Sequence, residues 1–247
     1  MIAVRALLVA IGFATRIPVR VGHVEPSDLA RALACLPLVG AAIGALCLAA
    51  LTSCDAALGP WLAAVAAVSC SASITGGLHL DGVADLFDAL GGGRGDRQRM
   101  LEIMRDPRVG AHGASALVLL LAAKLIALAE LPRALLAMGL CGSAAAGRLM
   151  AVWLLFALPS ARADGLGHGM GAGLQAGHVA FATGSFVFLS LIFGPLLLTA
   201  AVASAAVAAA LAWLARTRLG GVTADVCGAA IELSELAFLL VCRAQAA

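Results

Sequence analysis

Long apolar runs separated by short polar loops make up most of this chain. Seven runs are long enough, or nearly long enough, to cross a bilayer as helices, since a spanning helix needs about 20 apolar residues. They occupy residues 33–53, 61–73, 114–131, 135–158, 179–193, 196–214 and 225–241. The pattern predicts an all-α, polytopic integral membrane bundle of about seven transmembrane helices, forming one membrane-embedded domain over residues 1–247.

Three segments depart from this pattern, at residues 1–31, 76–113 and 215–242. The first begins with an apolar run too short to span, so we predict an N-terminal segment lying at the membrane interface. The second is the only long polar interval, and it holds six of the 14 acidic residues. The third is a polar loop followed by the last predicted helix.

The arginines are distributed unevenly among the loops. Four precede the first run, five lie within residues 76–113, and three more lie at Arg162, Arg216 and Arg218, whereas the alternate loops hold only Arg133. Because cytoplasmic loops carry an excess of basic residues, this asymmetry predicts that the N-terminus and the long polar loops face the cytoplasm. Residues 76–113 and the loop before Asp225 would then share one face.

Three carboxylates of the polar stretch have helical spacing. If Asp81 lies on a helix, Asp85 at i+4 and Asp88 at i+7 lie on the same face. Like charges arranged in this way repel, so a cation is expected beside them. Mg²⁺ prefers carboxylate oxygens together with substrate phosphates. We therefore predict a magnesium site here, with a solvated acidic face as the alternative.

The last run carries three further acidic residues, Asp225, Glu232 and Glu235. Asp225 and Glu232 are seven residues apart and share a helical face, so they are candidates to complete the metal site. Charged side chains within membrane spans have functional or paired roles by default. The alternative is that Lys124 and Arg148 pair with Glu232 and Glu235 inside the bundle.

Several other residues are candidates for substrate binding. Arginine suits phosphates because its guanidinium group donates two parallel hydrogen bonds, and glycine lets backbone N–H groups approach a phosphate. The alternative is that the arginines of the polar stretch only mark a cytoplasmic loop, since such loops are rich in basic residues. The predicted substrate-binding residues are Arg105, Arg108, His79, Arg16, Gly220, Gly221 and Thr223.

Composition supports a membrane protein and argues against a nucleic-acid partner. Residues are 62% hydrophobic and 12% charged, whereas soluble domains carry roughly 25% charged residues. The net charge is only +2, and no basic patch is interleaved with aromatic residues. Clustered carboxylates and arginines at a membrane surface favour phosphoryl or nucleotidyl transfer.

The chain also resembles the cobalamin synthase family, whose members are called adenosylcobinamide-GDP ribazoletransferases. The resemblance rests on five segments in the same order: FATRIPV at 13–19, GLHLDGVADLFD at 77–88, RMLEIMRDPRVGAHG at 99–113, DGLG at 164–167 and LGGVTADVCGAAIEL at 219–233. Ala89 and Ala224 stand where the family pattern has glycine. Both are small-for-small changes that leave the carboxylates in place.

The resemblance implies a magnesium-dependent, multi-pass enzyme of the bacterial inner membrane. A ribose hydroxyl of α-ribazole, or of its 5′-phosphate, would attack adenosylcobinamide-GDP and release GMP, forming adenosylcobalamin or its 5′-phosphate. The catalytic residues would be Asp81, Asp85, Asp88 and Asp225, and these four with Glu232 would be the magnesium ligands. A homo-oligomer, or association with other enzymes of the cobalamin pathway, is also expected.

Two alternative functions remain open from the sequence. A CDP-alcohol phosphotransferase uses a similar face of aspartates on a lipid substrate, but its pattern has Ala-Arg after the first Asp-Gly pair, whereas Asp85 follows Ala84 here. A transporter with Lys124, Arg148 and Glu232 as a relay across the membrane predicts similar halves of the chain, and no internal repeat is visible.

Overall fold

The computed structural model describes residues 2–162, 169 and 171–245. The regular secondary structure of the described residues is entirely helical, apart from one isolated bridge between Ser160 and Val222. Its principal helices are α1 (Ile2–Ala14), α2 (Pro26–Ala34), α3 (Leu36–Thr75), α4 (Leu78–Gly92), α5 (Arg97–Ile103), α6 (Ala111–Ala129), α7 (Arg133–Ala157), α8 (Ala176–Phe193), α9 (Leu196–Leu214) and α10 (Ala224–Ala244). The all-helical prediction is confirmed.

Five of the described helices are long and apolar enough to cross a membrane. They are α3, α6, α7, α8, and α9 with its continuation to Leu219. Helix α3 covers the two predicted spans 33–53 and 61–73, because its 40 residues are interrupted at Gly59, which has φ 76° and precedes Pro60. The predicted count of about seven spans remains a prediction.

The N-terminal helices pack against the rest of the bundle. Helix α1 contacts α2 and α3, and the guanidinium of Arg5 on α1 lies 2.9 Å from the carboxylate of Asp28 on α2. The backbone N–H of Arg16 donates to the carbonyl of Ile74 at the end of α3 (2.7 Å). These contacts fix the chain after α1 beside the start of α4.

Helix α10 lies at the centre of the bundle. It packs against α4, α6, α7 and α9, and most of its side chains are buried. Glycine allows the closest of these approaches: a Cβ atom on Gly82 of α4 would lie 2.6 Å from the carbonyl oxygen of Asp225, and one on Gly228 would lie 3.2 Å from the Cα of His79. This crossing brings the acidic face of α4 to the start of α10.

A substitution at Gly82 tests the importance of this crossing. Gly82→Ala should lower the free energy of unfolding by about 1–3 kcal/mol, because the added methyl group forces α4 and α10 apart. The matched control is Gly184→Ala on α8, where a Cβ atom would meet nothing within 4 Å. Both changes carry the same gain in helix propensity, so thermal unfolding in detergent isolates the steric effect. Equal midpoints for the two variants would contradict a tight crossing.

Candidate active site

Three of the predicted carboxylates meet at the crossing of α4 and α10. Asp81 is exposed and Asp85 is half-buried on one face of α4, while Asp225 lies in the first turn of α10. Burial, and then the negative charges of Asp81, Asp225 and Asp88, together raise the pKa of Asp85 to about 7. Because the other three carboxylates raise the pKa of Asp85, they must lie close enough to interact with it electrostatically.

Asp225 has an oxygen that is buried and incompletely satisfied. Its Oδ2 atom accepts no hydrogen bond from the described residues, although Nη2 of Arg162 lies 3.4 Å away as an ion-pair partner. Thr223, two residues before Asp225, is the N-cap of α10. Its hydroxyl accepts a hydrogen bond from the N–H of Val226 (3.2 Å). Thr223 is thus placed to fix the start of the helix, and Asp225 to receive a further donor or cation.

Asp88 is engaged differently. Its two carboxylate oxygens accept hydrogen bonds from the backbone N–H groups of Gly110 (2.6 Å) and Gly113 (2.8 Å). These N–H groups lie at the start of α6, where the backbone N–H groups of a helix have no acceptor within the helix itself. The carboxylate of Asp88, on the neighbouring helix α4, therefore caps α6. The described contacts therefore assign Asp88 a structural role at one end of the acidic face.

Glu232 lies in a buried ion-pair network inside the bundle. Nζ of Lys124 lies 2.6 Å from Glu232 and 2.7 Å from Glu235, and Nη1 of Arg148 lies 3.0 Å from Glu235. Nδ1 of His79 lies 3.9 Å from Glu232. The contacts favour the alternative in which Lys124 and Arg148 pair with these two glutamates.

The remaining carboxylates suit a magnesium ion that is completed by substrate. Among the described residues, no group of three or more His, Cys, Asp or Glu side chains is close enough to form a metal cage unaided. Mg²⁺ does not require one, because it usually takes one or two carboxylates, water and substrate phosphates. The unsatisfied oxygen of Asp225 and the raised pKa of Asp85 are both features that an added cation would relieve.

Two hollows adjoin Asp81. One is an open groove of about 620 Å³ that is also lined by Arg16. The other is a mostly apolar cavity of about 100 Å³ whose lining includes Asp225, Arg148 and His79. Burial, and then the positive charge of Arg148, lower the pKa of His79 to about 3, so its imidazole ring is neutral at pH 7. Asp81 thus stands between two different binding spaces.

Other predicted substrate-binding residues lie apart from these hollows. Arg108 is exposed and pairs with Asp106 at 2.6 Å, and Arg105 is exposed on the same loop. Gly220 has φ 76° and lies against the guanidinium of Arg97. Gly221 packs against the backbone of residues 159–161, where Val222 donates to the carbonyl of Pro159 (2.8 Å). In this structure both glycines allow close packing, Gly220 against the side chain of Arg97 and Gly221 against a neighbouring backbone segment.

Two residues of the site were not singled out by the sequence pattern. Arg162 was noted only as a loop charge, yet it pairs with Asp225; its position directly before a polar loop was the one available signal. Arg148 is an intramembrane charge, but nothing in the sequence indicates that it lines a cavity together with Asp81. The predicted segment 164–167 and His168 lie outside the described residues.

Comparisons with known proteins identify relatives of this chain. Residues 6–243 match the model of the family described as cobalamin-5-phosphate synthase. Proteins named adenosylcobinamide-GDP ribazoletransferase are similar along their lengths: one from Pseudomonas aeruginosa is 41% identical over 96% of this chain and 97% of its own. One from Klebsiella pneumoniae is 38% identical over 96% and 98% of the two chains.

A relative of the same name from Bradyrhizobium diazoefficiens is 39% identical over 96% of this chain and 93% of its own. No solved structure matches the chain. The family model covers nearly the whole sequence, including both helices that carry the clustered aspartates. The chain therefore belongs to the cobalamin-5-phosphate synthase family.

Proposed function

We propose that this chain joins adenosylcobinamide-GDP to α-ribazole or its 5′-phosphate, releases GMP and forms adenosylcobalamin or its 5′-phosphate. The observation that carries the proposal is the position of Asp81 between a large groove and a small cavity, beside Asp85 and Asp225. Two substrates of very different size would approach the same carboxylates from two sides. The names of the similar proteins supply the substrates.

The Mg²⁺ ligands would come from Asp81, Asp85 and Asp225, with one or two of these carboxylates binding the ion together with water and substrate phosphate. When bound, the ion would neutralise charge on the diphosphate of adenosylcobinamide-GDP. Asp88 and Glu232 are omitted from this set, because the carboxylate of Asp88 caps α6 and that of Glu232 pairs with Lys124. The five magnesium ligands expected from the sequence are thereby reduced to three candidate carboxylates.

The chain's own residues supply binding and orientation. Arg16 lines the open groove beside Asp81 and suits a phosphate oxygen of the nucleotide substrate. Where Asp225 does not bind the ion, its unsatisfied Oδ2 would accept the hydrogen bond and then the proton of the attacking ribose hydroxyl, as the new O–P bond forms and the bond to GMP breaks. Burial raises the pKa of Asp225, and the positive charge of Arg162, whose Nη2 lies 3.4 Å from the same oxygen, opposes that rise.

The proposed location is the cytoplasmic face of the bacterial inner membrane. The support is the excess of arginine in the N-terminal segment and in the loops that lie next to the carboxylates. Both substrates are polar or charged, so a site at the cytoplasmic surface is accessible to them. Homo-oligomerisation and association with other enzymes of the pathway remain expectations.

An assay of GMP release tests the proposed function. Membranes containing the chain, incubated with adenosylcobinamide-GDP and α-ribazole, should form GMP and a cobalamin, and chelation of Mg²⁺ should lower the rate by about 10²-fold or more. Membranes without the chain are the control. Absence of GMP would overturn the proposed reaction. Unchanged release after chelation would overturn the magnesium site alone.

A further inference from the structure

Arg148 is the largest fully buried side chain of the described structure, and only one of its three guanidinium nitrogens makes hydrogen bonds there. It is 1% exposed. Its Nη1 atom donates to the carbonyl of Ala144 (2.9 Å) and to Oε1 of Glu235 (3.0 Å). Its Nε and Nη2 atoms find no hydrogen-bond partner among the described residues. Two buried donors of one guanidinium group therefore lack an acceptor, which is unusual for a charged group in a bundle interior.

These donors belong to a side chain that lines the apolar cavity beside Asp81. The cavity measures about 100 Å³, several times the roughly 10–15 Å³ that one water needs. Its walls are mainly aliphatic, with Leu33, Leu36 and Leu155 among them. Because Asp81 is exposed and Arg148 is buried, the cavity extends inward from the carboxylates to the guanidinium.

The chemistry of this cavity selects a flat apolar group with one acceptor. A guanine base carries several donors and acceptors around its rim, and the aliphatic part of the wall would leave those that face it unpaired. A diphosphate requires more than one cation, and a corrin ring is far too large for this space. The benzimidazole base of α-ribazole has apolar edges and one ring nitrogen free to accept, since its other ring nitrogen carries the ribose.

We propose that this cavity is the subsite for the benzimidazole base of α-ribazole, with Arg148 donating a hydrogen bond to the free ring nitrogen. The inference rests on the proposed function and adds to it a specificity-determining residue. With the base held inside, the ribose lies at the mouth, where its hydroxyls face Asp81 and Asp225. Adenosylcobinamide-GDP then occupies the open groove lined by Arg16.

Filling the cavity tests this assignment. Ala151 lies on α7 and lines the cavity, so Ala151→Ile places extra carbon atoms in the space of the base. In the full-length protein, the KM for α-ribazole should rise about tenfold or more, while the KM for adenosylcobinamide-GDP stays within about twofold of its original value. The matched control is Ala157→Ile, because Ala157 is exposed on the same helix.

The outcomes separate this inference from the proposed function. If the unaltered protein releases no GMP, the proposed function fails. If it releases GMP but Ala151→Ile leaves the KM for α-ribazole unchanged, or raises the KM for adenosylcobinamide-GDP instead, the base subsite is overturned.

A second variant covers the case in which Ala151→Ile does not fold. Leu155→Ala enlarges the same cavity and should also raise the KM for α-ribazole selectively, because the base loses contacts with the wall. Binding of α-ribazole alone, followed as a shift in the thermal midpoint of the unaltered protein and of Leu155→Ala, gives a readout independent of turnover. Equal shifts in both proteins would overturn the assignment.

Discussion

Replacing Asp81 or Asp85 by asparagine is expected to lower the rate of GMP release by about 10²–10³-fold or more. Asparagine preserves the size of the side chain and removes its negative charge, so the site keeps its shape but loses its attraction for a cation. Both residues lie on the same face of α4, within electrostatic reach of Asp225. Steady-state assays with both substrates saturating measure the effect as a fall in kcat.

The control for this experiment is Glu102→Gln. Glu102 belongs to the same polar stretch, but its carboxylate is half exposed and pairs with Arg99 at 3.5 Å. We expect its kcat to remain within about twofold of the original, since exposed pairs contribute little. Each variant should be recovered from the membrane fraction in normal amount. Full activity in Asp81→Asn and Asp85→Asn would refute the role assigned to the acidic face.

Lys124→Met should destabilise the bundle by about 3–5 kcal/mol. The network around Lys124 contains two cations and two anions. Removal of this lysine leaves Glu235 paired with Arg148, but leaves Glu232 without a lysine or arginine partner among the described residues. A buried carboxylate without a partner is expensive. The expected result is a loss of folded protein, measured by thermal unfolding in detergent and by the yield from membranes.

Restoring neutrality should rescue part of this loss. In Lys124→Met combined with Glu232→Gln, one charge of each sign has been removed, and the pair formed by Arg148 and Glu235 remains. The surface control is Arg133→Met, which breaks an exposed pair with Asp55 and should cost at most about 1 kcal/mol. A double variant no more stable than Lys124→Met would show that charge balance is not what the network provides.

The sequence was sufficient for the helical architecture and for the acidic face of α4. A helix that crosses the bilayer needs a continuous run of apolar residues, and such runs can be recognised directly in the sequence. The spacing of Asp81 and Asp85 places both on one face once a helix is assumed. Even the interrupted helix α3 was foreseen as two runs on either side of Gly59 and Pro60. Local periodicity carries this information because it depends on neighbours in the chain.

The partners of individual side chains could not be predicted in the same way. The i+7 spacing places Asp88 on the face of Asp81, but only the packing of α6 reveals that Gly110 and Gly113 occupy its oxygens. Similarly, Glu232 shares a face with Asp225 in the sequence, yet Lys124 from a distant helix holds it. Contacts between helices far apart in the chain decide which carboxylates remain available.

The buried network also constrains the order in which the protein can be made. Lys124 and Arg148 are translated well before Glu232 and Glu235, which lie in the final helix. During synthesis from the N-terminus, α6 and α7 would therefore present isolated cations to lipid until α10 arrives. Completion of the bundle must wait until α10 has been synthesised. A chain truncated before α10 would lack both the central helix of the bundle and the glutamates that balance Lys124 and Arg148. We therefore expect membrane proteases to degrade it.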